Sequence, residues 1–171
     1  MKYSNTDIED VIVFEPDVHT DERGCFFESF IEKYFNDIVG QNINFVQENQ
    51  SYSNKNFLRG MHYQKPPVQQ GKLVRVIAGS IYDVALDIRK ESPSYGKWIS
   101  EILSHENKKQ LWIPEGFAHG FLSLEDNSQV IYKTTNYYSK DHEEVIRYDD
   151  RRYNIVWPSK TIPIQSIKDG I

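Results

Sequence analysis

The segment Leu58-Arg59-Gly60-Met61-His62-Tyr63-Gln64 sets an imidazole three residues after a guanidinium, inside an apolar, strand-like stretch. In an extended chain those three steps cover only about 10 Å. Arg59 can then clamp an anionic group while His62 exchanges a proton beside it. A second imidazole, His119, closes the segment Ile113-Pro114-Glu115-Gly116-Phe117-Ala118-His119, and Tyr132-Lys133-Thr134-Thr135-Asn136-Tyr137-Tyr138 adds a phenol and paired rings. A neutral imidazole titrates near working pH and serves as base or acid. Guanidinium forks and point-charge ammonium groups suit phosphates and developing oxyanions, which makes Arg23, Arg59 and Lys72 candidate anion ligands. Each of these residues also has a plainer reading, as a satisfied core histidine, a solvated cation or a packing tyrosine. Tyr132 alternates with Val130 and Thr134, so its face is shared with a core-type side chain, and Tyr137-Tyr138 reads as an interface pair or a platform for a nucleobase.

Two histidines also raise the question of a metal. A divalent ion needs at least three convergent nitrogen or oxygen ligands, and the chain has no His-x-His pair. Pro114-Glu115-Gly116-Phe117-Ala118-His119 resembles the second metal motif of cupins, but the first motif has no counterpart. No metal and no cofactor are expected. A metal-dependent cupin oxygenase or isomerase stays as an alternative that metal analysis decides.

The elements that must position these groups are mostly strands. Runs at 10–14, 43–47, 57–63, 72–77, 81–89, 110–113, 120–124 and 129–134 have strand character and are punctuated by Gly and Pro. Ala78-Gly79-Ser80 reads as a tight hairpin joining two of them. In the run 81–89, Tyr82, Val84, Leu86 and Ile88 alternate with Asp83, Ala85 and Asp87, so the polar set faces either solvent or a barrel lumen. One helix is predicted. Ser29-Phe30-Ile31-Glu32 has the form of a capping box, Ile31, Tyr34, Phe35 and Ile38 follow helical spacing, and Gly40 ends the segment. Many short strands with one helix and no βαβ rhythm point to an all-β, closed or double-sheet antiparallel architecture such as a jelly roll.

With 171 residues the chain is expected to form one domain over 1–171, burying about 70% of its unfolded surface. A net charge of −5 gives no broad basic field, so nucleic acid is not an expected partner. Cys25 is the sole cysteine, which excludes an internal disulfide and points to a reducing compartment. The N-terminal residues lack a signal-peptide core and no apolar run reaches membrane-spanning length, so no membrane association and a cytoplasmic location are expected.

Taken in order, Asp21-Glu22-Arg23-Gly24, Phe27-Glu28-Ser29, Phe45-Val46-Gln47-Glu48-Asn49, the Leu58 to Gln64 segment, Gln70-Gly71-Lys72-Leu73-Val74-Arg75, Asp87-Ile88-Arg89-Lys90-Glu91-Ser92-Pro93, 111–121 and 132–139 resemble the dTDP-4-dehydrorhamnose 3,5-epimerase family. That family is a metal-free branch of the cupin superfamily. Ile146-Arg147-Tyr148-Asp149-Asp150, Trp157-Pro158 and Ser166-Ile167-Lys168-Asp169 complete the pattern. The resemblance implies a cupin-type jelly roll (double-stranded β-helix) with one short helix near the N-terminus. It implies His62 as general base oriented by Asp169, Tyr132 as general acid on the other side of the sugar, and Lys72 as the cation that meets an enolate oxygen. It further implies nucleotide-sugar contacts from Arg23, Glu28, Gln47, Glu48, Asn49, Arg59, His119, Glu143 and Lys168, with Tyr138 stacking on the base and Phe26 at the pocket edge. It also implies a homodimer in which Arg23, Phe26 and Glu28 reach the neighbouring subunit's pocket.

The reaction so implied inverts C3 and C5 of a dTDP-linked 4-keto-6-deoxy sugar. Inversion at one carbon only, or action on a GDP- or CDP-linked sugar, is the alternative within the class. A non-catalytic nucleotide-sugar binding cupin is the alternative outside it. Such a module would keep Arg59 and Tyr138 but has no need of His62, Lys72, Tyr132 and Asp169 together.

Overall fold

Ile12-Val13-Phe14 and Leu111-Trp112-Ile113 carry apolar residues at consecutive positions, a pattern suited to strands covered on both faces. A computed structural model describes residues 1–166, 168 and 169. Its strands are β1 (Lys2–Asn5), β2 (Ile12–Glu15), β3 (His19–Asp21), β4 (Gly24–Phe26), β5 (Gln47–Ser53), β6 (Leu58–Gln64), β7 (Lys72–Ala78), β8 (Ser80–Asp87), β9 (Trp98–Ser104), β10 (Gln110–Ile113), β11 (Phe117–Ser123), β12 (Ser128–Thr134) and β13 (Glu143–Val145), with one helix, α1 (Glu32–Val39). They form a six-stranded sheet in the order β1-β2-β10-β7-β12-β5, a five-stranded sheet in the order β13-β6-β11-β8-β9, and the separate hairpin β3-β4.

The two large sheets meet through one core. Val13, Val74, Val76, Leu111, Ile113 and Val130 of the first pack with Ile81, Ala85, Ile99, Leu103, Phe117 and Phe121 of the second. The outer face of the six-stranded sheet, with Ile12, Phe14, Leu73 and Trp112, is covered by Phe35 and Ile38 of α1 and by Phe30, Ile43 and Phe45. The rings of Phe35 and Trp112 meet edge-on at 5.2 Å. The outer face of the five-stranded sheet, with Met61, Val84, Leu86 and Ala118, is covered by Ile146, Tyr153, Ile155 and Trp157. The all-β architecture with one short helix is as the sequence predicts.

Several local expectations change, and β1, β3, β4, β9 and β13 form where no strand is expected. The helix begins at Glu32 with Ile31 as its N-cap and no side-chain cap. Ser29 does not cap it; the Ser29 carbonyl instead accepts a hydrogen bond from Gln110 Nε2 at 2.5 Å. Gly40 does end it, with φ +71° and its N–H on the Asn36 carbonyl. Ala78-Gly79-Ser80 is not a hairpin, because β7 and β8 belong to different sheets. Gly79 is the corner where the chain changes sheet. It has φ +70°, and a Cβ there would lie 2.5 Å from Ser128 Oγ and 2.9 Å from Ser128 Cα, so both torsion and space demand glycine. The strand expected at 43–47 is β5 at Gln47–Ser53, whose inward positions are polar and carry no hydrophobic alternation. Residues 43 and 45 instead feed the outer aromatic cluster.

The polar set of β8 faces the lumen. Asp83, Ala85 and Asp87 are all fully buried.

Candidate active site

Between the sheets a cavity of about 260 Å³ is lined from both sides. Strand alternation decides which residues reach it. On β5, Gln47, Asn49 and Ser51 point inward, while Glu48 points out and pairs with Lys133 Nζ at 2.7 Å. Glu48 is therefore not brought to the cavity, contrary to its expected place among the substrate contacts. On β6, Arg59 and His62 are three apart and would face opposite ways in a regular strand. Both reach the cavity because β6 carries one extra residue against β11, where His119 pairs with His62 and Phe121 pairs with Arg59. Such a bulge re-aims the side chains that follow it.

The five-stranded wall carries two imidazoles. His62 Nε2 lies 2.7 Å from Asp169 Oδ1, and Asp169 Oδ2 accepts from the Gly60 N–H at 3.4 Å. Burial alone would raise the Asp169 carboxyl, but the His62 ring, the Gly60 amide and Ser166 outweigh it and hold the group below the usual carboxylate value. Asp169 is an anion that only accepts, so it fixes the proton on Nε2 and leaves His62 Nδ1 free to take one. His119 Nε2 lies 2.7 Å from Asp83 Oδ1. Burial lowers the His119 value, against the pull of Asp83 in the other direction.

The six-stranded wall carries the phenol and the ammonium. Tyr132 on β12 stands opposite Asn49 of β5 in the register. Burial raises its hydroxyl above the ordinary phenol value, with the nearby Arg59 charge opposing, so the group holds its proton. Lys72 is buried, 6% exposed, and its Nζ donates to the His62 carbonyl at 3.3 Å. Burial pushes it down to about 8, opposed by the charges of Asp83 and Glu143.

At the cavity mouth Tyr138 donates its N–H to Gln47 Oε1 at 3.0 Å and its hydroxyl to Glu143 Oε2 at 2.7 Å. Lys168 Nζ reaches the same Glu143 oxygen at 2.6 Å and sits 5.9 Å from the Tyr138 ring centre. Burial would raise the Glu143 carboxyl, but Lys168 and Tyr138 hold it below its ordinary value. Arg59 is fixed by Ser53 Oγ at 2.8 Å and the Tyr52 carbonyl at 2.9 Å.

Arg23, Phe26 and Glu28 are not brought to this cavity. They lie on or just after the β3-β4 hairpin, Phe26 is 68% exposed, and Arg23 pairs with Asp21. Ser51, Gln64, Gln70 and Phe121 line the cavity unforeseen by the sequence. Gln64 accepts from the Ser139 N–H at 2.6 Å and donates to the Val68 carbonyl at 2.6 Å, tying two mouth loops together. Asp83 was visible only as part of an alternating polar set. Among the described residues no group of three His, Cys, Asp or Glu side chains converges as a metal would require, and no helix is long and apolar enough to cross a membrane.

A cavity with bases on one wall and a buried phenol on the other suits proton removal and return on opposite faces of a sugar, and known proteins share this chain's sequence and shape. Residues 5–171 match the family model described as dTDP-4-dehydrorhamnose 3,5-epimerase. The dTDP-4-dehydrorhamnose 3,5-epimerase of Shigella flexneri is 54% identical over 169 residues, covering 99% of this chain and 93% of its own. The structure of dTDP-6-deoxy-D-glucose-3,5-epimerase from Legionella pneumophila Philadelphia 1, in complex with dTDP-4-keto-L-rhamnose, superposes with a TM-score of 0.95. It is 46% identical and the match covers 98% of this chain and 89% of that one. A 3′-monoepimerase from Streptomyces bikiniensis in complex with dTDP-quinovose superposes with a TM-score of 0.90 at 30% identity, covering 96% and 83%. With that family's cupin-type jelly roll and a match along nearly its whole length, the chain belongs to the dTDP-4-dehydrorhamnose 3,5-epimerase family.

Proposed function

We propose that this enzyme binds dTDP-4-dehydro-6-deoxy-D-glucose and inverts C3 and C5 to give dTDP-4-dehydro-L-rhamnose. The 4-keto group makes the hydrogens at C3 and C5 acidic, because the electron pair left behind spreads onto O4 as an enolate. His62 takes the proton through Nδ1 while Asp169 steadies the ring. Lys72 meets the charge on O4. Tyr132 returns a proton to the opposite face of the same carbon, which inverts it, and both groups re-equilibrate with solvent between cycles. Acid–base catalysis contributes about 10²–10⁴-fold and an oxyanion donor about 10²–10³-fold, so the four side chains account for roughly 10⁴–10⁷ before positioning is added. The observation that carries the reading is the placement of the His62–Asp169 pair and Tyr132 on opposed sheets of one cavity.

At the mouth, Tyr138 stacks on the nucleobase, and Arg59, His119, Gln47, Asn49, Glu143 and Lys168 hold the sugar nucleotide. The β3-β4 hairpin has every residue exposed, which supports a homodimer where Arg23, Phe26 and Glu28 complete the partner's pocket. One catalytic unit over 1–171 is supported by the single core between the large sheets. A cytoplasmic setting agrees with the lone, unpaired Cys25.

Incubation with dTDP-4-dehydro-6-deoxy-D-glucose in deuterated water, read by NMR, tests the reaction. Label and inversion at both C3 and C5 are expected; an unlabelled, unchanged sugar would refute it. The likeness to a 3′-monoepimerase gives the second reading, single inversion, which the same spectrum reports as inversion at C3 alone. Co-refolding inactive His62→Ala with inactive Arg23→Ala chains tests the shared site. Activity should return in the mixture, and verified heterodimers that stay dead would place Arg23 in its own chain's pocket.

A further inference from the structure

Asp83 is fully buried on β8, yet it does not line the cavity. Its Oδ1 is 2.7 Å from His119 Nε2, and its Oδ2 is buried with no hydrogen-bond partner. An unpartnered carboxylate oxygen in a core is costly. The packing does not account for it: the neighbouring inward position on β8, Ala85, is apolar and belongs to the core.

We propose that Asp83 is a positioning residue of the active site, holding His119 as the Nε2–H tautomer so that Nδ1 faces the ligand, and supplying the buried negative charge that balances Lys72. This deepens the epimerase reading and rests on it. With Nε2–H given to Asp83, Nδ1 is the ring nitrogen left to accept from a sugar hydroxyl. Burial keeps His119 below its ordinary value, so a neutral ring with one defined tautomer prevails near neutral pH. Lys72 needs its charge when the enolate forms, and it is buried. The charged and titratable groups around it are Arg59, His62 and Tyr63 from β6, Asp83 from β8, His119 from β11, Tyr132 from β12, Tyr138 from the following loop, Glu143 from β13, and Lys168 and Asp169 from the C-terminal segment. Of the carboxylates, Glu143 is already bonded to Lys168 and Tyr138, and Asp169 to His62. Among these carboxylates in the described residues, Asp83 alone keeps a buried oxygen without a hydrogen-bond partner.

Two measurements test this. Long-range ¹H–¹⁵N imidazole spectra of the wild-type protein, with the resonance assigned by its loss in His119→Gln, should show His119 protonated at Nε2. Protonation at Nδ1 would overturn the proposal, and this outcome depends neither on any sugar being turned over nor on a variant of Asp83. Asp83→Asn should then shift that tautomer toward Nδ1–H, because its amide donates to Nε2. It should lower kcat at least about 10-fold, keep dTDP affinity within about 2-fold by calorimetry, and move the alkaline limb of the kcat profile to lower pH. A buried Asp83 with only a structural role would reduce Tm and leave both tautomer and profile in place, and that result would also overturn the proposal. If wild type fails to epimerise the sugar, the functional reading falls while the tautomer result still decides the role of Asp83 toward His119.

Discussion

Two histidine–aspartate pairs sit side by side on the paired strands β6 and β11, each with Nε2 at 2.7 Å from a carboxylate oxygen. The His62 side chain is 28% exposed and its partner comes from the C-terminal segment. The His119 side chain is 7% exposed and its partner comes from the core strand β8. An imidazole open to the cavity can gain and lose charge during a cycle, whereas one enclosed with its carboxylate is held neutral by the cost of desolvating the cation. Identical residue types at identical distances thus differ in exposure, a difference that matches the proton carrier and the fixed recognition group of the proposed reaction.

The comparison is broken most severely at the open pair. His62→Ala should lower kcat by about 10⁴-fold, the upper end for a general base, and abolish deuterium uptake at both C3 and C5. Uptake at the wild-type rate would assign abstraction elsewhere. On the opposite wall, Tyr132→Phe should cost about 10³-fold in inversion while some solvent exchange persists. If exchange and inversion vanish together in NMR time courses, Tyr132 is not specific to reprotonation.

Asp169→Asn should cost about 10²-fold in kcat, less than loss of the base itself. The pair also carries a pH signature. Because the folded Asp169 carboxyl lies below its ordinary 3.8, its stabilising contribution is complete above that value and is lost as pH falls through the lowered one. Trypsin cleavage after Lys168 cannot follow that loss in acid, so hydrogen exchange of the Gly60 amide should report it, and protection that is indifferent to acid would contradict the pair. On the alkaline side, turnover should decline as pH rises through about 8, where Lys72 loses its proton; a flat profile to pH 10 would remove Lys72 from enolate stabilisation.

The smallest effect on activity is expected at Asp87, which shares β8 and its inward face with Asp83. Its carboxylate accepts from Arg89, Ser92 and Ser94, bonds that outweigh burial and hold it down to about 2. Stability from this group is complete above 3.8 and is lost as pH falls through about 2, a contribution of about 2 kcal/mol. Asp87→Asn should lower unfolding free energy by at least about that amount in urea titrations and leave kcat of the folded enzyme within about 2-fold. A large fall in kcat with unchanged stability would show that carboxylates along this face share the catalytic work.

Much of this was legible in the chain. Runs such as 110–113 and 129–134 announced themselves because they are short stretches of consecutive apolar residues, rich in the β-branched and aromatic side chains that favour strands. β9 escaped notice although its Ile99 and Leu103 pack in the core, whereas β3, β4 and most of β5 have faces that do something other than pack. β5 was expected four residues too early because Asn49 and Ser51 line a polar cavity instead of alternating with apolar residues, and β3 and β4 carry no apolar alternation because each of their residues is exposed.

Residue types and their order carried the family resemblance, and with it the expectation that His62, Lys72, Tyr132 and Asp169 belong to one chemistry. Which side chains converge was decided only by tertiary structure. The extra residue in β6 turns Arg59 and His62 to the same side, the alternation of β5 turns Glu48 away, and the sheet change at Gly79 sets Lys72 and Asp83 on facing sheets. Each of these depends on pairing between strands far apart in sequence. A shift of one residue in that pairing reverses every face, so the convergence is a property of the register and not of the motifs.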